Sequence, residues 1–175
     1  TVTTMFSIDT IDCAAPTQRL ARGHVLLRRV TGTTSVCFIQ SGRVALGVLE
    51  AGVMEHQIGV LEGPCWLDAS SVVLALPHLV DAVADTPVEI RCVKKSAFRR
   101  AIANMPESAQ AVLNDVAMAH RHQTEFAVSR LAKDAEARCA EWLLCHAQQR
   151  SSGGMAVELQ QRKRSIAAQL GIAPE

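Results

Sequence analysis

A chain of 175 residues, 49% of them apolar and with a formal net charge of +1, is long enough to bury one core, or one and a fraction, as an ordinary globular protein. Near-neutral charge argues against coating nucleic acid by bulk electrostatics, while leaving room for a local basic element that enters a groove. No apolar run approaches the ~18 residues of a membrane span and no signal-peptide pattern opens the chain, so the expected compartment is the cytoplasm. Six cysteines, Cys13, Cys37, Cys65, Cys92, Cys139 and Cys145, stand without a C-x-x-C pair. That spacing points to no zinc site or iron–sulfur cluster, and predicts buried reduced thiols.

From Gly23 to Val93 the chain is a series of short β-type runs punctuated by glycine: SVCFIQSGRVALGVL, HQIGVL, VDAVA and VEIRCV. This pattern predicts an antiparallel β-roll or barrel with tight turns. Ser41-Gly42, between two apolar runs, predicts a hairpin, because glycine accepts the positive φ such turns demand. At Lys94 the period changes: SAFRRAIANM predicts a short helix, and Pro106 suits the first turn of a longer one. From Pro106 to about Lys133 no glycine or further proline occurs, a helix of about 28 residues or ~40 Å.

Along that helix Ala109, Leu113, Val116, His120, Gln123 and Ala127 recur at the spacing of a coiled-coil seam. A second row, Val112, Val116, Ala119, Gln123 and Phe126, runs beside it. The reading is a dimer helix whose interface includes Val112, Leu113, Val116, Ala119, His120, Gln123 and Phe126; the alternative is that both rows pack on the chain's own core. Next, AEARCAEWLLCHA (Ala135 to Ala147) predicts another amphipathic helix, broken by Ser151-Ser152-Gly153-Gly154, and MAVEL a short strand. QRKRSIAAQLGIAPE then offers a helix, a glycine stop and a fresh start at Ala173-Pro174-Glu175, the first half of a helix-turn-helix. Arg162, Lys163 and Arg164 cluster there as residues near DNA, or as an ordinary solvated helix face. The start at Thr1 and the stop within a helical pattern read as trimmed ends.

The order of these pieces resembles the Crp/Fnr family of bacterial transcription regulators, relatives of the cyclic-AMP receptor protein. The residues that carry the likeness are FIQSGRVALGV, similar to the family's strand–turn–strand; GVLEGPCWLDA, similar to its glycine-plus-pocket segment; ADTPVEIRCVKKSAF, similar to its closing strands; and SIAAQLGIAPE, similar to the leading helix of its DNA-binding domain. The resemblance implies an α+β fold: an antiparallel β-roll of the cyclic-nucleotide-binding type (a double-stranded β-helix), then a long dimerisation helix and the start of a helix-turn-helix. It divides the chain into an effector-sensing roll over 1–104, a dimerisation helix over 105–133 and an incomplete winged helix-turn-helix over 134–175. It further implies a homodimer that senses a small-molecule effector in the roll and reads palindromic DNA. The recognition helix would begin near Pro174, so this stretch alone is not expected to read DNA.

In cyclic-nucleotide-binding relatives the pocket segment carries Gly-Glu and, eleven residues after that glycine, Arg-Ser/Thr. The matching positions here are Leu67-Asp68 and His78-Leu79. Leu67 replaces a residue whose missing Cβ lets backbone amides approach an anion, and Leu79 removes a hydroxyl. An imidazole such as His78 is charged only in part near neutral pH, whereas a guanidinium is always charged and grips phosphate bidentately. Asp68 retains a carboxylate with shorter reach, and Gln123 and Thr124 lie where relatives offer polar groups to the base. The expectation is an effector other than cyclic AMP, unless Leu67, Leu79 and Trp66 simply fill the roll.

Three rival readings remain. Cys65 beside Trp66 invites a thiolate-haem or redox role, since some family members sense gases through haem and others through cysteines, although a lone cysteine on an apolar strand is usually core. His120 and His122 form an H-x-H pair, but residues two apart on a helix face different ways, which disfavours a shared metal. That also weakens a cupin-like metalloenzyme, and neither a metal, a cofactor nor a catalytic role is assigned. Finally, a roll that binds an effector without DNA is disfavoured by the helix-turn-helix beginning.

Overall fold

A computed structural model describes residues 8–12, 14–150, 153–159 and 162–172. The chain forms two compact units that divide after Glu125. The first opens with α1 (Ile8–Asp12) and continues through β1 (Thr17–Leu20), β2 (Val25–Leu27), β3 (Ser35–Ser41), β4 (Arg43–Glu50), β5 (Val53–Glu62) and β6 (Cys65–Leu67). A short α2 (Ala69–Leu74) follows, then β7 (Asp81–Ala84), β8 (Val88–Lys94), α3 (Lys95–Ala103) and α4 (Glu107–Ala132).

The strands make two four-stranded antiparallel sheets, ordered β1-β8-β3-β6 and β2-β7-β4-β5. Each turns one face inward, so alternate residues of β3, β4, β6, β7 and β8 meet between the sheets: Ile39, Val44, Leu67, Ala82, Ala84, Val88 and Ile90. Burying a side chain such as Ile39 or Val44 contributes about 1.5–3 kcal/mol. This is the predicted α+β roll, with helices after it.

Ser41-Gly42 is not a hairpin. Gly42 does take positive φ (+92°), but β3 and β4 belong to different sheets, so the turn is the corner at which the chain changes layer. A Cβ on Gly42 would lie 2.4 Å from the Pro87 carbonyl oxygen, which is why a residue without one stands there. The real hairpin joins β4 to β5 through Ala51-Gly52. Both residues have positive φ (49° and 84°) and Glu50 faces Val53, the geometry of a two-residue turn matched to strand twist.

The expectation of reduced thiols is corrected at two positions. Cys37 and Cys92 are directly opposed on β3 and β8 and form a disulfide, which joins strands distant in sequence. Scattered spacing concealed the pair, because only the sheet register brings them together.

α4 spans 26 residues inside the predicted 106–133 window. In the second unit α5 (Ala135–His146) is capped by Asp134, whose carboxylate accepts from the Ala137 N–H at 2.7 Å. The pair β9 (Gln148–Gln149) and β10 (Met155–Ala156) follows, then α6 (Lys163–Leu170), stopped by Gly171 at φ 66° as the sequence predicts. Arg162, Lys163 and Arg164 are solvent-exposed at the start of α6. The predicted restart at Ala173-Pro174-Glu175, Ser151-Ser152 and Cys13 lie outside the described residues.

Candidate functional site

β6 ends at Leu67, which is 1% exposed and faces both the inter-sheet core and a cavity of about 550 Å³. The chain then turns through Asp68 in the left-handed region (φ 46°), a conformation aspartate tolerates better than most residues, and enters α2. α2, α3 and α4 close one side of the cavity; β4 and β5 supply the other through Leu46, Ile58 and Leu61. Trp66 and Phe98 pack edge to face, ring centroids 5.1 Å apart, and both contribute to the wall. Leu67, Leu79 and Trp66 therefore line the space rather than fill it.

The Asp68 carboxylate accepts three side-chain hydrogen bonds: Ser70 Oγ at 3.0 Å, Ser71 Oγ at 2.8 Å and His78 Nδ1 at 2.5 Å. Burial alone would raise its carboxyl pKa. The bonds from His78 and Ser71, the charge of His78 and the bond from Ser70 together outweigh burial and hold it below the ordinary carboxylate value. An ionised carboxylate only accepts, so the His78 proton sits on Nδ1.

His78 does not do what its sequence position predicts. It is 6% exposed, bonded to Asp68, with its backbone N–H on Thr31 and its carbonyl accepting from Val30, and it stands off the cavity wall. The histidine expected to meet a ligand is instead a brace for the aspartate. Leu79 does line the cavity, as does Thr124, whereas Gln123 is exposed and off the wall.

The α4 residues sort by face. Leu113, Val116, Ala117, His120, Arg121 and Thr124, spaced three, one, three, one and three, line the cavity. His120 Nδ1 lies 3.2 Å from Ser70 Oγ. Ser70 spends its hydroxyl hydrogen on Asp68, so His120 is the donor in that bond. Leu113, Val116 and His120, predicted in the dimer interface, thus line the cavity, although Val116 is also 60% exposed; Val112 is 62% exposed and off the wall, and Ala119 and Gln123 are also exposed. Phe126, in the second unit, is 58% exposed.

Arg121 was not singled out from sequence. It lines the cavity, pairs with Glu125 at 3.2 Å and donates to the Pro77 carbonyl at 3.0 Å. The helical spacing from Leu113 and Ala117 carried the signal, obscured by the more conspicuous outer row. Cys65 packs with Leu67 on the inter-sheet core and is absent from the cavity wall. Burial pushes its thiol pKa up, which favours the thiol over the thiolate a haem or redox role requires.

The family model for the cyclic nucleotide-binding domain matches residues 17–105. Among solved structures, the sensor domain of the transcriptional regulator DNR from Pseudomonas aeruginosa is 17% identical with a TM-score of 0.50, over 63% of this chain and 74% of that one. A protein from Silicibacter pomeroyi DSS-3, described as a cAMP-binding regulatory protein, is 21% identical with a TM-score of 0.50, over 95% of this chain and 73% of its own. The cGMP-bound EAL enzyme Bd1971 is 11% identical with a TM-score of 0.56, and this chain, 76% of which aligns, spans about a third (35%) of its length. At these identities the likeness is one of fold. No curated protein sequence matches the chain. No described helix is long and apolar enough to cross a membrane.

Proposed function

From a chain that belongs to the cyclic nucleotide-binding domain family over residues 17–105, we infer a DNA-binding transcriptional regulator of the Crp/Fnr type whose roll senses an effector other than a cyclic nucleotide. The observation that carries the effector reading is the Asp68 carboxylate, held ionised by Ser70, Ser71 and His78 at the entrance to α2. That entrance is where the resemblance places a cyclic phosphate, and its carboxylate already takes the imidazole and hydroxyl hydrogens that such a phosphate would need. The cavity beside it remains roomy and apolar, within the range of small-molecule sites.

The regulator reading draws support from the order of elements: roll, long helix, then α5, a β9–β10 hairpin and the glycine-stopped α6. The division into an effector roll over 1–104, a dimerisation helix over 105–133 and a DNA-binding beginning over 134–175 follows from that order. A non-enzymatic, cytoplasmic homodimer is the form such a regulator takes. The haem or thiol sensor is the weaker reading given where Cys65 packs, and the roll without DNA binding gives the α6 arrangement no role.

DNA binding is tested on the full-length protein by selection from random duplexes followed by gel shift. A two-fold-symmetric site is expected, with half-sites about one helical turn apart, because a dimer presents two readers. Recovery of no palindrome would remove the regulator reading.

The dimer is tested on the chain described above. Val112 and Val116 form an exposed apolar row on α4, and such rows mark interfaces. Sedimentation at tens of micromolar is expected to give a dimer, and Val116→Glu a monomer. A wild-type monomer, or a Val116→Glu variant of unchanged mass, would contradict this.

A further inference from the structure

We propose that the roll cavity binds a medium-chain monocarboxylate, its carboxylate on Arg121 of α4 and its hydrocarbon chain along Trp66, Phe98 and Leu113. This rests on the reading of the roll as a sensor of something other than a cyclic nucleotide, and gives that effector a chemical class.

Most side-chain donors on the cavity wall are already committed. Ser70 has one hydroxyl hydrogen, given to Asp68. Thr124 gives its own to the His120 carbonyl one turn back, at 2.9 Å. His120 spends its Nδ1 hydrogen on Ser70. Ser71 likewise gives its hydrogen to Asp68. Among the described side chains of the wall, Arg121 has donors in excess: a guanidinium carries five N–H groups, and the bonds to Glu125 and Pro77 involve Nε and Nη1. Its side chain is 14% exposed, so it is largely removed from water, while its partner Glu125 is 47% exposed and screened by solvent.

Charge then sets the ligand. The wall carries one guanidinium and, at the entrance to α2, one ionised carboxylate that already takes the hydrogens of Ser70, Ser71 and His78. A single anionic head on the α4 side is favoured, and a multiply charged phosphate is not. A carboxylate matches the planar guanidinium fork. The rest of the wall, formed largely by Leu, Ile, Val, Phe and Trp side chains, offers a molecule hydrocarbon and little else. Longer chains are expected to bind more tightly, roughly tenfold per two added methylenes until the cavity is full.

Calorimetry with decanoate, 1-decanol and cyclic AMP tests this on the wild-type chain and on Arg121→Gln and Arg121→Lys, with thermal midpoints recorded to show that the variants are folded. Decanoate is expected to bind at least about tenfold more tightly than decanol, a gap that closes in Arg121→Gln and partly persists in Arg121→Lys, since lysine keeps the charge but not the fork. Equal binding of decanol and decanoate, a carboxylate preference that survives in Arg121→Gln, or binding of neither probe would overturn the proposal and leave the effector reading standing. Micromolar binding of cyclic AMP would overturn the effector reading beneath it.

Discussion

Asp68→Ala is expected to destabilise the first unit by about 3 kcal/mol, because breaking one half of a buried pair leaves the other half without its partner. His78 is 6% exposed, and the side chain of Asp68 only 12%. With the carboxylate gone, the His78 Nδ1 hydrogen and the Ser70 hydroxyl lose their acceptor in a place water reaches poorly, and Ser71 keeps only the Pro77 carbonyl at 3.4 Å. Alanine must also hold φ 46°, which adds roughly 1 kcal/mol to the loss. Asp68→Asn keeps the volume, one carbonyl acceptor and tolerance of that conformation, so it should lose about half as much. Denaturant midpoints measure both, and a change below about 0.5 kcal/mol for alanine, the size of an ordinary surface substitution, would show that the network does not hold the turn.

The same carboxylate sets a pH dependence. Its folded pKa lies below the ordinary value, so in that range the unfolded chain binds more protons and stability rises with pH. The contribution is complete above the unfolded carboxyl pKa of about 3.9 and disappears as pH falls from there through the lower folded value. Asp68→Asn should flatten that part of the acid-unfolding curve.

The roll was legible because its signals are local. Glycines between β-branched runs mark strands and corners, Pro106 marks the start of α4, and Gly171 ends α6 where the helical pattern stops. What was misread depended on which strands meet. Ser41-Gly42 carries the residues of a hairpin, and nothing within that window distinguishes a hairpin from a change of sheet. Cys37 and Cys92 are paired by register alone. At the site, positions were legible and directions were not: Leu67, Leu79 and Thr124 reach the cavity, while His78 turns to Asp68. That turn depends on α2, a six-residue helix too short to show periodicity, which brings Ser70 and Ser71 under the carboxylate. Arg121 was hidden for the opposite reason. α4 has apolar residues on several faces, and the conspicuous row through Val112 and Val116 outweighed the spacing from Leu113 and Ala117 by which the helix meets the roll.

This member of a cyclic-nucleotide-binding family is expected not to bind cyclic AMP. A cyclic phosphate brings a full negative charge to a partly buried place, and burial without charge-assisted donors costs several kcal/mol. At the entrance to α2 the chain offers Leu67, whose Cβ and side chain stand where a glycine would expose backbone amides, and Leu79, which has no hydroxyl. Of the two nearby imidazoles, His78 has given its Nδ1 hydrogen to Asp68 and His120 its own to Ser70, and Asp68 itself is ionised. Losing a bidentate arginine and a hydroxyl forfeits about 3–5 kcal/mol, or roughly two to three and a half orders of magnitude in affinity. Calorimetry of the wild-type chain with cyclic AMP at pH 7.5 measures this directly. A dissociation constant no tighter than about 1 mM is expected, and one of about 1 μM or tighter would show that the pocket does take a cyclic nucleotide.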